Sequence, residues 1–270
     1  MASTVGIELH GTDGSAFLDR AVPDECLALL VEHGVVVYRD AHVDDTQLLE
    51  FSRLLGEVVV PPAGGQPEHP EVTAISLDPS KDAMASYRRG TFFWHIDGAT
   101  DAVPQKATLL AAHEVGDDEG DTEFASTYAA YDALSDVEKA ELADVRVIHS
   151  FAAAQSLVTL DPTPELRALW DRVPAREHPL VWTRPDGRRS LLIGATGGEA
   201  VGIPHKEGRA LLDRLLAWST QPRFVLRHRW RKGDLVVWDN TGMLHRALPY
   251  APTSQRLLHR TTLVGELAVS

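Results

Sequence analysis

The chain is poor in the residues that would give its fold outside help. It has one cysteine, Cys26, so no disulfide framework can be built within it, and that thiol reads as core filler on an amphipathic helix. The opening "MASTVGIELHGTDGS" lacks the basic and apolar stretches of a secretory signal. No apolar run approaches the length of a membrane span, and no low-complexity linker or internal repeat divides the sequence. Positive charge is also scarce. Lys and Arg total 26 against 39 Asp and Glu, a net charge of −13. That balance argues against a general nucleic-acid binder and against adsorption to anionic membranes, while leaving room for a local basic pocket that takes a small anion. The expectation is a soluble cytoplasmic protein whose partner is a small molecule, not nucleic acid or a membrane, with assembly into a homo-oligomer left open.

At 270 residues the chain can bury a sizeable core without staples. Residues 23–33 read as a helix with Pro23 in its first turn and Gly34 just past its end, followed by the buried strand "VVVYRD". "DDTQLLEFSRLLGEV" is a second helix, 61–71 a turn-rich loop and "VTAISL" a short strand. Residues 78–90 show no period and read as a mobile loop. "KATLLAAHEV" is a strand. "GDDEGDTEFAS" is an acidic loop entering a strand, and "TYAAYDALS" is helical. Ser135 with Glu138 three residues later marks a capping box. Pro185-Asp186-Gly187 turns a hairpin in "LVWTRPDGRRSLLIG", and "PHKEGRALLDRLLAWSTQ" is an amphipathic helix. "RFVLRHRWRKGDLVVWDN" reads as two strands joined at Lys232-Gly233, and "RLLHRTTLVGEL" as a last strand. Short strands without β-α-β alternation favour a single domain over residues 1–270, mainly β with flanking helices.

The chemistry concentrates at "FFWHIDGAT" (92–100). If this segment is extended, His95 and Asp97 point to one face. Asp97-Gly98 also suits a plain turn and the aromatics a plain core, but neither explains the histidine between them. About 150 residues later His245 follows a buried strand in "VVWDNTGMLHRALPY". Two histidines and a carboxylate on one face of a metal leave three positions of an octahedron open, the pattern of non-haem Fe(II) oxygenases. Zinc would accept the same donors, so a zinc-dependent hydrolase is a second reading and a non-catalytic binding jelly roll a third. Other histidines, among them His113 and His259, lack a partner in this pattern and take a structural or exposed role by default. Arg256 and Arg260 are four apart and share a face of a strand. They read equally as surface arginines or as a carboxylate clamp, for which a planar guanidinium suits better than lysine.

"WHID" (94–97), "GDTEFASTYAAYDALS" (120–135), "HPLVWTRPDGRRSLLIG" (178–194), "GDLVVWDNTGMLHRA" (233–247) and "RLLHRTTLVGE" (256–266) together resemble the taurine dioxygenase/aryloxyacetate dioxygenase family of Fe(II)- and 2-oxoglutarate-dependent oxygenases, in its order and at its approximate intervals. The resemblance implies a double-stranded β-helix core, a cupin-like jelly roll. It implies Fe(II) on His95, Asp97 and His245, with 2-oxoglutarate as cosubstrate and O2 as oxidant. It places the distal carboxylate of 2-oxoglutarate on Arg256 and Thr122, with Arg260 near the cosubstrate or a substrate anion. It implies oxidation of a C–H bond in a small organic acid or secondary-metabolite intermediate. An aspartate at 97 fits hydroxylation or another oxidation, since halogenating relatives lack that carboxylate. Taurine-oxidising members carry an asparagine four residues before the first ligand histidine, where this chain has Thr91. Tyr87, Arg88 and Arg89 in the preceding loop are candidate substrate contacts, and the loop 78–91 a candidate lid.

Overall fold

The structure, a computed structural model, describes residues 5–116 and 120–269. The start of the chain and positions 117–119 of the acidic loop read above lie outside the described residues. In chain order the elements are β1 (Ile7–Leu9), α1 (Ala21–His33), β2 (Val35–Tyr38), α2 (Asp45–Leu55), β3 (Thr73–Ile75), a 3-10 helix (Ala85–Phe92), β4 (Ala107–Glu114), β5 (Thr122–Ser126), α3 (Thr127–Asp132), α4 (Asp136–Leu142), β6 (Arg146–His149), α5 (Phe151–Val158), α6 (Pro164–Trp170), β7 (Arg176–Pro179), β8 (Val181–Thr183), β9 (Arg189–Leu191), β10 (Gly197–Ala200), α7 (His205–Ser219), β11 (Val225–His228), β12 (Leu235–Asp239), β13 (Met243–Ala247) and β14 (Leu257–Thr262). Among the described residues no helix is long and apolar enough to cross a membrane.

Local chemistry sets many boundaries. Gly34 ends α1 with φ 73°, a left-handed conformation that costs glycine little. Asp44 and Gln47 close a capping box on α2, as Ser135 and Glu138 do on α4. Each box satisfies backbone donors that the first helical turn leaves unpaired.

A six-stranded sheet runs in the order β1-β2-β12-β4-β14-β3, and a smaller sheet in the order β11-β5-β13. The period of two along each strand decides what faces what. Leu235 and Val237 of β12, with Leu109 and Ala111 of β4, join Leu48, Phe51 and Leu55 of α2 in one core. Val236, Trp238, Leu110, Ala112 and Leu258 point the other way and meet Phe124 of β5 and Met243 of β13 in a second core. Ala125 and Leu244, the next residues along β5 and β13, belong to a third core with Trp94, Leu191, Leu192, Leu212 and Leu215. The helices α1 and α2 therefore cover the outer face of the large sheet, and the small sheet covers its inner face. Strand β12 is buried on both faces, which accounts for its unbroken run of apolar residues.

Three readings need correction. The segment around His95 is not a strand: it makes an isolated bridge, His95 with His245, before the turn at Asp97-Gly98. The strands either side of Lys232-Gly233 do not form a hairpin. β11 pairs with β5, whereas β12 pairs with β2 and β4. The crossing is pinned by Asp234, whose carboxylate accepts from Arg39 at 2.6 Å and from the Arg231 amide at 2.8 Å. Residues 78–90 are not without regular structure, because the 3-10 helix begins at Ala85. Arg88 ties it down by donating to Asp82 at 2.6 Å and to the Ala74 carbonyl at 3.0 Å.

Candidate metal centre

Strand periodicity brings the polar residues together. On the inner face Thr108 follows the parity of Leu110, Arg260 that of Leu258, Thr122 that of Phe124 and His245 that of Met243. All of them converge on the space between the two sheets. His95 joins them through its backbone: its amide donates to the His245 carbonyl at 3.0 Å, and the His245 amide returns the bond at 2.9 Å. Gly194 permits this approach. Its φ is 120°, and a Cβ there would lie 2.7 Å from the Trp94 carbonyl oxygen.

The imidazoles of His95 and His245 stand with ring centroids 4.1 Å apart. Nε2 of His95 is 3.9 Å from Asp97 Oδ1, and Nε2 of His245 is 3.6 Å from Oδ2. Two donors that share one ion at about 2.1 Å can be no more than about 4.2 Å apart, and both separations fall inside that limit. The Nδ1–H of His95 reaches the Phe93 carbonyl at 2.8 Å, which leaves Nε2 as a free lone pair. Burial, then the neighbouring His245, lowers its pKa to about 4, so the ring is a neutral donor at physiological pH. Burial alone would raise the Asp97 carboxyl, but His245 and Arg260 outweigh it and hold the group well below the usual carboxylate range.

A buried relay holds Asp97 in place. Thr108 Oγ1 donates to Oδ2 at 2.9 Å and accepts from Asn240 Nδ2 at 2.8 Å, and Asn240 Oδ1 accepts from Trp238 Nε1 at 2.9 Å. Sequence reasoning missed Thr108 and Asn240. The inward parity of Thr108, an isolated polar residue among the apolar ones of β4, was the available signal.

Next to the triad lies a pocket lined by Thr91, His95, Thr122, His245, Arg256 and Arg260, with Arg88 at its edge. Arg256 is 1 % exposed. Its Nη1 donates to Tyr250 Oη at 3.3 Å and its guanidinium lies 4.7 Å over the Tyr250 ring. Its Nε is buried without a hydrogen-bond partner, and no carboxylate among the described residues forms an ion pair with it. Burial lowers its pKa, yet arginine stays charged in proteins. A buried guanidinium without a counter-ion is a strong call for an anion. Gly120 makes room for it: with φ +72°, a Cβ there would meet Arg256 Cδ at 2.7 Å. Arg260 places Nη1 3.8 Å from Asp97 Oδ1 and leaves Nε unpartnered. Thr122, also buried, accepts from Trp230 Nε1 at 2.9 Å. Of the candidate substrate contacts, Arg88 and Thr91 reach the lining, and Thr91 donates to the Arg88 carbonyl at 2.7 Å. Tyr87 packs instead against Phe151, ring centroids 5.9 Å apart, and Arg89 is exposed.

Two imidazole nitrogens, a carboxylate oxygen and an adjacent anion pocket suit a divalent metal that shares a chelating acid with the protein. Comparisons with known proteins point the same way. The chain is 35% identical over 248 residues to an alpha-ketoglutarate-dependent 2,4-dichlorophenoxyacetate dioxygenase of Burkholderia sp. (strain RASC), covering 87% of this chain and 82% of that protein. It is 30% identical over 273 residues to an (S)-phenoxypropionate/alpha-ketoglutarate-dioxygenase of Sphingobium herbicidovorans, covering 99% of this chain and 92% of that one. The crystal structure of AAD-2 in complex with Mn(II) and N-oxalylglycine superposes with a TM-score of 0.82 at 27% identity, over 100% of this chain and 97% of the other. The sequence profile of the family described as "Taurine catabolism dioxygenase TauD, TfdA family" matches residues 1–262, and the chain belongs to that family of 2-oxoglutarate-dependent dioxygenases.

Proposed function

We propose that His95, Asp97 and His245 hold Fe(II), that Arg256 and Thr122 take the distal carboxylate of 2-oxoglutarate, and that the substrate is a small carboxylic acid of the aryloxyalkanoate kind. The buried, counter-ion-free guanidinium of Arg256 beside the triad carries this reading, because a hydrolase built on the same three ligands has no use for it. When bound, iron and 2-oxoglutarate supply the redox chemistry: O2 is consumed, succinate and CO2 leave, and a C–H bond of the substrate is oxidised. The protein supplies placement. Phe93 and the Thr108–Asn240–Trp238 relay orient the ligands. Arg260 sets positive charge beside Asp97, where the cosubstrate's other carboxylate or a substrate anion would lie. The 3-10 segment closes one side of the pocket through Arg88 and Thr91, and we place the substrate's acid group there. This reading includes one jelly-roll domain, formed by the two facing sheets, and work in the cytoplasm.

The test is an anaerobic titration of the protein with Fe(II) and 2-oxoglutarate, followed by a screen of aryloxyacetic and other small acids for substrate-stimulated succinate. A weak visible metal-to-ligand charge-transfer band should develop, and one acid class should raise turnover. His245→Ala should lose iron and turnover while keeping its circular dichroism. Stoichiometric iron with full activity in that variant would sink the triad assignment.

A further inference from the structure

Strands β4 and β14 are adjacent in the large sheet, and their outward faces carry His113 and His259. Asp45, in the first turn of α2, projects onto the same spot. The sequence reading gave these histidines no partner, yet their rings stand with centroids 4.1 Å apart, the separation found between His95 and His245. Asp45 Oδ1 lies 2.5 Å from His259 Nδ1 and 3.5 Å from His113 Nε2. One donor atom from each residue falls within 4.8 Å of the other two, as in the triad. The capping box of α2 uses Asp44 and Gln47, which leaves the Asp45 carboxylate free of helix-capping duty.

A hydrogen-bonded pair would explain His259 and Asp45, but it does not explain His113. Its Nε2 is buried and has no hydrogen-bond partner among the described residues. A buried ring nitrogen left unmade is costly, and here it is turned toward a carboxylate oxygen already shared with a second imidazole. We propose that Asp45, His113 and His259 form a second metal site, for a divalent ion such as Zn(II). Two imidazoles and a carboxylate are zinc's usual nitrogen–oxygen donors, with a fourth position left to water. His69 lies nearby, its Nε2 3.1 Å from Thr46 Oγ1, and stays outside the donor set. An ion here would clip the start of α2 to two strands of the sheet. One of these is β14, whose inward face carries Arg260.

The experiment is Zn(II) uptake by the metal-free full chain, measured by equilibrium dialysis at micromolar metal with elemental analysis. The readout is the difference between the chain and its variants, so it does not depend on what the His95–Asp97–His245 triad does with zinc. His113→Ala/His259→Ala should hold one equivalent fewer than the unsubstituted chain. Asp45→Asn, which keeps shape and removes the charge, should weaken that same equivalent at least tenfold and serves if circular dichroism shows the double variant misfolded. Equal uptake by the chain and a folded variant overturns the proposal.

Discussion

Replacing Arg256 by lysine isolates the fork geometry from the charge. In the structure this side chain is 1 % exposed, backed by Tyr250 and without an anionic partner. Lysine keeps a positive charge but loses the planar pair of donors that meets a carboxylate with two parallel bonds. Losing one charge-assisted hydrogen bond inside a protein costs about 1.5–3 kcal/mol, which corresponds to roughly a 10- to 150-fold weaker affinity. The assay is an anaerobic titration of the Fe(II)-loaded protein with 2-oxoglutarate, following the visible charge-transfer band, so that a true dissociation constant is read in place of a Michaelis constant that mixes steps. Iron affinity should stay near that of the parent protein, since Arg256 touches no ligand of the triad. A 2-oxoglutarate constant changed by less than twofold in a folded Arg256→Lys protein would remove this residue from the cosubstrate site. It would leave its burial without a function.

Thr108→Val keeps the shape of β4 and cuts the relay to Asp97. Its iron affinity should fall about 10- to 100-fold with an unchanged fold, measured by iron retention on dialysis; unchanged retention would show the relay to be packing only. His149 is buried, with Nδ1 2.9 Å from Thr196 Oγ1, and burial, then His178, lowers its pKa to about 3. Below pH 6.5 the unfolded chain gains a proton there that the folded chain refuses, so stability is full above that pH and falls as pH drops toward 3. This one group costs about 2 kcal/mol by pH 5. Unfolding free energies from urea titrations at pH 7 and 5 should therefore converge by that amount in His149→Gln, and an unaltered pH slope would contradict it. Ser135→Ala removes the cap of α4 and should cost about 1 kcal/mol, a drop of about 2 °C in Tm by calorimetry.

What could be read from the sequence was local or repeated. The Ser135–Glu138 capping box, the Pro185-Asp186-Gly187 turn and the amphipathic helices are fixed by neighbours a few residues away, and each stands where expected. The candidate triad was legible as a grouping because two of its residues lie in one tripeptide, and the fold brings all three together. The geometry behind it was not, since His95 is held by a single bridge to β13 and not by a strand. Strand β13 itself was not read as a strand: only five residues long and close behind the turn at Asp239-Asn240, it left His245 looking like the tail of β12. The β11–β12 crossing escaped because a tight turn says nothing about whether the flanking strands share a sheet. Asn240 and the Asp45–His113–His259 group were illegible for a common reason, and Thr108 showed only its inward parity on β4. Their meaning lies in contacts between distant segments, Thr108 meeting Asn240 across 132 residues and Asp45 meeting His259 across 214, and each sits alone in its own segment.

Strand β14 shows what such alternation demands of the chain as it changes over time. Leu258 and Arg260 serve the inner cavity while His259 and Thr261 serve the helix side, and an irregularity between Leu257 and Leu258 sets the phase against β4. Substitutions along this strand alter one face at a time. A single inserted or deleted residue between Pro252 and Leu257 would do something different: it would rotate every later side chain by half a period. Arg260 would then point at α2, and Thr261 would occupy the pocket. The segment leading into β14 is exposed at its start, where length changes are ordinarily tolerated. Here the count of residues is itself under constraint, so lineages of this protein should vary in letters along 252–255, ahead of Arg256, and keep their length.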